Sequence, residues 1–388
     1  MTFAAITGWG KCMPPAVLSN ADLATFLDTD DEWIAQRTGI RERRVSHVCG
    51  TELAYVASAR ALACAGLAAT DLDLIVYGSC SNDEHIPNSA SGLSVRLGAG
   101  NAAAMDVNTA CTSFLYGLST ATAMIRTGVV KTALVVGVEW VSPFMDWHNR
   151  NVAVLFGDGC AAVVLQAADT ESGVLAEKLG CYSDARAILR VRGSGLAYGY
   201  GGDVTYGDTL WDFDGQEIFK RAVHGMGESA AEALARARKS PDEIDLIVPH
   251  QANLRIIEFV AKRAGIGMDR VFLTVHKYGN MSAATVPVAL VEALEEGRVK
   301  PGGLLLTPAF GGGLTYCSHV IRWGERVTPL GASDVELPPC DRSALAIVRD
   351  VMARRDPRGR SLAGLSAPVF PEAIPSPRPS PRAGEKES

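Results

Sequence analysis

Cys111 is the residue best placed for covalent chemistry. It lies in the segment MDVNTACTSFLYGL, where a strand-like MDV leads into a turn of small residues and a helical run follows at once. This order places Cys111 at the start of a helix, where unpaired N–H groups and the helix dipole favour thiolate over thiol. A buried structural cysteine is the alternative, and it suits the other eight of the nine cysteines better. We therefore predict a nucleophile at Cys111.

Two polar residues occupy positions at which α/β proteins commonly place active-site groups. His250, in DLIVPHQAN, directly follows a buried strand, and such sheets present functional residues at the carboxyl ends of their strands. A histidine there suits a ligand, a catalyst or a satisfied hydrogen-bonding group. Asn280, in HKYGNMSAA, occupies a Gly-containing turn that opens onto a helix, where an N-cap is the ordinary interpretation. His276 nearby is a weaker candidate, since its surroundings are those of a loop histidine.

A run of three glycines is the fourth candidate. It lies in PAFGGGLTY, residues 308–316, after a strand-like segment. Consecutive glycines permit positive φ and let backbone amides approach a ligand closely. The run lacks the GK[ST] of a Walker motif and the GxGxxG spacing, which excludes a phosphate loop. Tight packing could explain it, but an oxyanion hole is the better interpretation.

The elements that must position these residues alternate along the chain. Apolar strand-like runs are predicted at 74–77, 133–138, 161–165, 246–248 and 304–306. Alanine-rich helical stretches lie between them, including 57–69, 114–127, 216–238 and 284–296. This alternation is typical of α/β architecture.

An internal repeat organises the alternation. LACAGLAATDLDLIV from residue 62 matches LARARKSPDEIDLIV from residue 234, which pairs Asp73 with Asp245 at an offset of 172. Two further matches follow in the same order at offsets of 167 and 169, and they join Gly98 to Gly265 and Gly128 to Gly297. Helix–turn–strand units look alike in any α/β protein, but three collinear matches favour a duplication. We predict two pseudo-equivalent halves, 1–170 and 171–328.

The composition excludes several classes of function. Hydrophobic residues make up 47% and charged residues 21% of the chain, and a net charge of −6 argues against a nucleic-acid binder. The cysteines form no CxxC pair, so we expect neither a metal site nor a redox dithiol. The N-terminal segment lacks a basic signal-peptide region, and no apolar run approaches the roughly 18 residues that span a bilayer. We expect a cytoplasmic protein without membrane contacts.

The last sixty residues differ in kind. From Pro329 onward the chain holds ten of its 19 prolines and ends SPRPSPRAGEKES. Such composition buries little apolar surface, so we predict a disordered tail over 329–388. Residues 342–355 could form a short basic amphipathic helix within it.

The motifs together resemble those of β-ketoacyl-acyl carrier protein synthase III. The resemblance rests on Cys111 in its strand–turn–helix setting and on collinear segments between about residues 4 and 323. These segments are DEWIAQRTGIRERR at 31–44, LFGDG at 155–159, DGQEIFKRAV at 214–223, HQAN at 250–253, GN at 279–280 and FGGG at 310–313. The resemblance implies the thiolase fold, a five-layered αβαβα duplication. The tail lies outside it.

The resemblance also implies a reaction with Cys111, His250 and Asn280 as the catalytic triad. Cys111 takes an acyl group from acyl-CoA. Malonyl on an acyl carrier protein then loses CO2, and the resulting carbanion attacks the Cys111 thioester to release a β-ketoacyl carrier protein. His250 and Asn280 act as neutral donors to the negative charge on the malonyl thioester oxygen.

Further positions match ligand contacts of the family. The backbone amides of Cys111 and Gly312 match a second oxyanion hole, and Ile86 and Phe310 match the acyl pocket. Contacts to the CoA adenine and diphosphate are matched by Trp33, Arg37 and Arg150, and a contact to pantetheine is matched by Asn253. Lys220 and Arg255 match positions that dock the carrier protein. The resemblance implies CoA thioesters and acyl carrier protein as substrates, no cofactor, and a homodimer. In that dimer the residue at position 86 reaches the partner's acyl pocket.

The chain departs from the family's usual pattern near the nucleophile. Asn108, Thr109 and Thr112 are more polar than the common AAACAGF, Cys160 replaces an alanine, and Ile86 stands where an aromatic residue is frequent. The smaller Ile86 predicts a primer of about four to eight carbons rather than acetyl. The polar residues leave open a primer with a distal carboxylate or hydroxyl.

Two other functions stay open on this fold. An acyltransferase could move the acyl group from Cys111 to a hydroxyl or amine, but it would not need Asn280. A non-catalytic partner subunit would commonly lack the nucleophile. Elongating synthases of the superfamily carry a second histidine where this chain has Asn280.

Overall fold

Strands and helices alternate along the chain, as predicted for an α/β protein. The computed structural model describes residues 2–199 and 209–355. Its strands are β1 Phe3–Cys12, β2 Ala16–Ser19, β3 Glu42–Val45, β4 Leu74–Gly78, β5 Ala103–Val107, β6 Thr132–Glu139, β7 Gly159–Ala168, β8 Gly173–Cys181, β9 Leu189–Arg192, β10 Leu210–Phe213, β11 Leu246–Ile247, β12 Leu304–Leu306, β13 Ala309–Gly311 and β14 Thr315–Arg322. Its α-helices are α1 Asn20–Ala24, α2 Asp31–Thr38, α3 Gly50–Ala65, α4 Ser89–Leu97, α5 Ser113–Arg126, α6 Arg150–Ala153, α7 Gly215–Ala237, α8 Leu254–Arg263, α9 Val275–Tyr278, α10 Thr285–Glu295 and α11 Ala344–Arg355.

Two five-stranded sheets share one strand order. In the first sheet the order is β1-β7-β6-β4-β5, with β1, β7 and β6 antiparallel and β6, β4 and β5 parallel. In the second, β8-β14-β12-β11 repeats the first four places with the same directions. Val271 makes a parallel bridge to Ile247 in the fifth place. The strand β13 adds a hairpin with β14. The two halves are therefore structural duplicates.

The residues matched in the sequence repeat hold the same turns in both halves. The Asp73 carboxylate accepts from the backbone N–H of Thr132 at 3.0 Å, and the Asp245 carboxylate accepts from that of Leu304 at 2.9 Å. All four matched glycines have positive φ, 75° at Gly98, 71° at Gly265, 77° at Gly128 and 66° at Gly297. The repeat is visible in the sequence because each half needs these turn residues.

Helices cover both faces of each sheet, so that the two sheets and the helices make five layers. In β4, Leu74 and Val76 pack towards the central layer of α5 and α10, whereas Ile75 and Tyr77 pack towards α3 on the outside. The helices α7 and α8 form the corresponding outer layer of the second sheet. The strand β4 is wholly buried, as expected for a strand covered on both faces. No helix of the described residues is both long and apolar enough to cross a membrane.

The segment after residue 328 corrects the prediction of a disordered tail over 329–388. Residues 329–343 return along α3. There the Leu330 N–H donates to the Cys64 carbonyl at 3.0 Å, and Arg60 pairs with Glu336 at 2.6 Å. Residues 356–388 lie outside the described part of the chain.

The helix α11 then packs against β2 and β3 and the turn at residues 142–144. It buries Ala344, Ile347 and Val348 in the same cluster as Leu18 and Val45. These apolar residues recur at the i, i+3, i+4 spacing of an amphipathic helix. The helix predicted within 342–355 is confirmed, but the prediction that it lies in a disordered tail was wrong, because the proline content of the whole tail outweighed this local pattern.

Candidate active site

Two short turns lie against each other; the first contains the predicted nucleophile, and the second begins two residues after the predicted asparagine. The turn Ala110–Thr112 connects β5 to α5, and the turn Ser282–Ala284 leads into α10. They adjoin a cavity of about 350 Å³ whose lining includes Cys111, His250 and Asn280. The structure therefore brings the three predicted triad residues to one cavity.

The two turns are copies of each other. The Asn108 side-chain oxygen accepts from the Ala110 N–H at 3.2 Å, and the Asn280 oxygen accepts from the Ser282 N–H at 2.8 Å. Ala110 and Ser282 both adopt left-handed backbone conformations, with φ of 53° and 45°. Because its oxygen is held in this way, Asn280 has its NH2 group left to donate into the cavity. Asn108 builds the equivalent turn, which explains one departure from the family pattern.

The backbone of Asn280 is fixed by the LFGDG segment. The Asn280 N–H donates to the Leu155 carbonyl at 2.8 Å, and the Gly157 N–H donates to the Asn280 carbonyl at 3.1 Å. Asn280 is buried. The LFGDG segment therefore fixes the position of the Asn280 backbone.

Desolvation of the Cys111 sulfur opposes the thiolate expected at the start of a helix. Burial raises the pKa of Cys111 to about 12, whereas the Ser282 hydroxyl and the backbone amides of Cys111 and Gly312 act on this pKa in the opposite direction. The start of a helix favours a thiolate, but here the desolvation of the sulfur outweighs that effect.

His250 is a neutral histidine whose ring is oriented by Thr285. Burial lowers the pKa of His250 to about 3. Its Nδ1 lies 2.6 Å from the Thr285 hydroxyl, and that hydroxyl also lies 2.9 Å from the Ser282 carbonyl. Thr285 has one proton to donate. If it donates to His250 Nδ1, the Nε2 atom of the ring carries the hydrogen and can donate into the cavity; if it donates to the Ser282 carbonyl, the ring hydrogen is on Nδ1.

The glycine-rich loop closes the site beside the nucleophile. A Cβ on Gly311 would lie 2.8 Å from the Cys111 backbone nitrogen, so a side chain is excluded there. The His250 N–H donates to the Pro308 carbonyl at 2.9 Å, which ties the histidine to the same loop. Phe310 is buried and lines the cavity.

The mouth of the cavity carries an aromatic ring with two cations. The Arg37 and Arg150 guanidinium carbons lie 4.4 and 4.7 Å from the centroid of the Trp33 ring. The Asn253 amide donates to the Arg37 carbonyl at 3.0 Å, and its oxygen caps α8 by accepting from the Arg255 N–H at 2.8 Å. Trp33, Arg37 and Asn253 line the cavity, and Arg150 adjoins it through Trp33.

The remaining predicted residues lie further from the chemistry. Lys220 and Arg255 are exposed beside cavity-lining residues of α7 and α8. Ile86 is 90% exposed and does not line the cavity of this chain. The Thr112 hydroxyl donates to the Thr109 carbonyl at 2.8 Å, so it is satisfied by the backbone. This contact removes one reason to expect a polar primer.

Three residues of the site were missed from the sequence. Ser282 and Thr285 lie beside Cys111 and His250, and the buried Glu139 ends β6 next to the same turn. The repeat contains a signal for two of them, because Ala110 and Ser113 precede Ser282 and Thr285 by the offset of 172 that pairs the halves. No motif drew attention to Glu139.

Comparison with known proteins places the chain in a family. The model "3-Oxoacyl-[acyl-carrier-protein (ACP)] synthase III" matches residues 105–183, and the model of the C-terminal part of these enzymes matches residues 234–323. The β-ketoacyl-[acyl-carrier-protein] synthase III 2 of Vibrio cholerae is 53% identical over 346 residues, which cover 89% of this chain and 95% of the relative. The chain belongs to the β-ketoacyl-acyl carrier protein synthase III family.

Other synthase III proteins extend the likeness to the fold. The relative from Roseiflexus castenholzii is 44% identical over 326 residues, covering 83% of this chain and 98% of that protein. The crystal structure of the synthase III from Aquifex aeolicus VF5 superposes with a TM-score of 0.78 at 38% identity, covering 82% of this chain and all of that one. The predicted thiolase fold is confirmed, and the chain is an acyl-transferring enzyme of the synthase III type.

Proposed function

We propose that the protein condenses an acyl-CoA primer with malonyl-acyl carrier protein to give a β-ketoacyl-acyl carrier protein and CO2. The observation that carries the proposal is the meeting of Cys111, His250 and Asn280 at one cavity. A thiol nucleophile and two neutral donors are what an acyl transfer followed by a decarboxylation requires. The substrates carry the reactive groups, so the reaction needs neither a cofactor nor a metal.

In the first half-reaction Cys111 attacks the thioester carbonyl of acyl-CoA. The negative charge that develops on the carbonyl oxygen is stabilised by the backbone amides of Cys111 and Gly312, both of which act to lower the pKa of the Cys111 thiol. CoA leaves, and the acyl group stays on Cys111. Loss of one such donor typically slows a reaction of this kind by about 10²–10³.

In the second half-reaction His250 and Asn280 bind the thioester oxygen of the malonyl group. Decarboxylation places a negative charge on that oxygen. The Asn280 NH2 group donates to it, and so does His250 Nε2–H in the tautomer in which the Thr285 hydroxyl donates to Nδ1. Neutrality of His250 suits this role, since its pKa of about 3 leaves no charge to be neutralised in the cavity. The carbanion then attacks the Cys111 thioester carbonyl.

The mouth of the cavity supplies the binding contacts. The adenine of CoA inserts between the Trp33 ring and the Arg150 guanidinium, which separate to admit it, while Arg37 binds the diphosphate. Asn253 contacts the pantetheine arm. Lys220 and Arg255 dock an acidic acyl carrier protein, because both are exposed beside the opening.

The enzyme acts as a cytoplasmic homodimer in this proposal. The strand β5 is at the edge of its sheet, and the nearby Ile86 and Val95 are 90% and 73% exposed. An apolar edge of this kind is unusual on a monomer surface, and a second copy would cover it. Light scattering on the purified protein checks the dimer.

The test of the function is the identity of the product. The enzyme is incubated with an acyl-CoA and malonyl-acyl carrier protein, and the carrier is weighed by intact-protein mass spectrometry. A β-ketoacyl mass on the carrier supports the condensation. Transfer of the intact acyl group to an added alcohol or amine, with malonyl left unconsumed, would instead support the acyltransferase.

A further inference from the structure

Arg43 is a buried cation behind the site, and the condensation mechanism assigns it no role. It lies on β3 and is 0% exposed. Its guanidinium donates to three neutral oxygens, the Leu18 carbonyl at 3.3 Å, the Asn20 side-chain oxygen at 2.8 Å and the Val154 carbonyl at 2.7 Å. Burial lowers the pKa of Arg43 to about 9, so the side chain keeps its charge at pH 7. A charge is costly to bury, so its presence here calls for an explanation.

One arm of these contacts leads to the helix α2. The Asn20 oxygen accepts from Arg43, and the Asn20 nitrogen donates to the Asp31 carboxylate at 2.8 Å and to the Ile40 carbonyl at 2.9 Å. Asp31 is the first residue of α2, and Ile40 lies two residues beyond its last. Asn20 is itself buried. Through this one amide, Arg43 is therefore tied to both ends of α2.

The other arm holds the end of α6. The Val154 carbonyl lies at the C-cap of this helix, where the side chain of an arginine can satisfy a carbonyl that has no partner within the helix. The helix α2 carries Trp33 and Arg37, and α6 begins with Arg150, which contacts the Trp33 ring. Arg43 therefore joins the two helices whose side chains form the mouth of the cavity.

The stem of Arg43 also packs behind Asn280. A Cβ on Gly157 would lie 2.9 Å from the Arg43 Cβ, and a Cβ on Gly279 would lie 3.5 Å from it. Gly279 directly precedes Asn280, and the Gly157 N–H donates to the Asn280 carbonyl at 3.1 Å. Arg43 therefore lies against the backbone that fixes the position of Asn280.

We propose that Arg43 is a positioning residue that holds the mouth of the cavity and Asn280 in fixed relative positions. The proposal rests on the function proposed above, which gives the mouth to CoA and Asn280 to the malonyl group. An apolar side chain could fill the same space, but it could not donate to Asn20 and Val154 at once, as a planar guanidinium does. The buried charge is explained by the two substrate sites that it connects.

Two variants separate the arms, and a third is a matched control. Arg43→Met keeps an unbranched apolar stem but removes the donors and the charge. Asn20→Leu removes the link to α2 and leaves the bond from Arg43 to Val154 in place. Arg44→Met changes the next residue of β3, whose side chain lies on the other face of the strand and pairs with Glu42 at 3.3 Å.

Two quantities are measured for each variant. The first is the dissociation constant of CoA, by isothermal titration calorimetry. The second is the rate of CO2 release from malonyl-acyl carrier protein by enzyme that has first been acylated on Cys111 with excess acyl-CoA. A residue that served stability alone would lower the melting temperature and leave both quantities unchanged in the folded variant.

Arg43→Met should weaken CoA binding and slow CO2 release by at least about tenfold each, because a displacement of about 1 Å in a site can cost about 10²-fold. Asn20→Leu should weaken CoA binding and leave CO2 release close to the wild-type rate. Arg44→Met should keep both values to within about threefold, since a partly exposed ion pair contributes little.

Two kinds of failure can be told apart. A wild-type enzyme that binds no CoA, or that releases no CO2 when acylated, contradicts the proposed function itself. A folded Arg43→Met variant in which either quantity keeps its wild-type value contradicts the positioning role alone. Melting curves establish which variants are folded at the assay temperature. Should Arg43→Met not fold, Asn20→Leu decides, and a wild-type CoA affinity in that variant overturns the proposal.

Discussion

Burial favours the neutral form of both ionisable residues of the triad. It raises the pKa of Cys111 to about 12 and lowers that of His250 to about 3. Charged groups are expensive in a cavity that must admit an apolar acyl chain, and a neutral pair avoids this cost. The thiolate therefore forms only as the thioester is attacked.

This protonation state predicts slow alkylation of Cys111. Its reaction with iodoacetamide should be far slower at pH 7.5 than that of the exposed Cys181, and its rate should keep rising tenfold per pH unit through pH 9 to 10. Peptide mass spectrometry measures both cysteines in one sample, so that Cys181 serves as the internal control. A Cys111 rate that levels off below pH 8 would show a thiolate at rest.

Asn280 can be tested without disturbing its turn. Asn280→Asp keeps an oxygen to accept from the Ser282 N–H, but it removes the NH2 donor and adds a negative charge. Malonyl decarboxylation should fall by at least about 10²–10³. Acylation of Cys111 should change much less, because that step uses backbone amides. If the variant decarboxylates at the normal rate, Asn280 is only a turn residue.

The sequence predicted which residues form the site better than it predicted their pKa values and burial. Cys111, His250 and Asn280 follow strands or open helices in recognisable segments, so their meeting at one cavity was foreseeable. The pKa of Cys111 was not, because desolvation depends on atoms contributed by both halves of the chain. The burial of Glu139 could not be predicted either, since a glutamate that ends a strand is ordinarily exposed.

At the level of elements, one unit of sheet, turn and helix occurs twice and serves two purposes. In the first copy the turn presents Cys111 at the start of α5. In the second it presents Asn280 and Ser282 ahead of α10. The repeat in the sequence predicted the duplication, because glycines and aspartates at turns are required by local backbone geometry. The docking of α11 was missed, because it depends on a surface formed by distant residues.

The C-terminal segment should stabilise the protein. A chain ending at residue 355 should keep the melting temperature of the full chain. A chain ending at Val327 should melt several degrees lower, because it loses the burial of Ile347 and Val348 and the contacts along α3. Differential scanning calorimetry of the two chains decides this. Equal melting temperatures would show that residues 329–355 contribute nothing.

At the scale of the whole molecule, the edge strand β5 of the first sheet has the exposed Ile86 beside it. In the proposed dimer this side chain enters the partner's acyl pocket, and an isoleucine leaves more room there than an aromatic ring. Each additional buried methylene of a primer contributes about 0.8 kcal/mol. Hexanoyl-CoA should therefore be preferred to acetyl-CoA by more than about tenfold.

A competition assay with acetyl-, hexanoyl- and glutaryl-CoA measures this preference, with Ile86→Phe as the matched variant. The variant should shift the preference towards acetyl. Glutaryl-CoA should be poor, since the Thr112 hydroxyl is occupied by the Thr109 carbonyl. Acetyl-CoA as the best primer, unchanged in Ile86→Phe, would contradict the role of Ile86.

The central claim is that an acyl group on Cys111 is an intermediate of a decarboxylative condensation. It is tested most directly by acylating the enzyme with isotopically labelled acyl-CoA, removing the excess, and adding malonyl-acyl carrier protein. We predict that the label leaves the Cys111 peptide as one CO2 is released per acyl group, and that it appears in the β-ketoacyl carrier protein. Cys111→Ala should show neither event. Label that stays on Cys111 while CO2 is released, or labelled product formed by Cys111→Ala, would contradict the account.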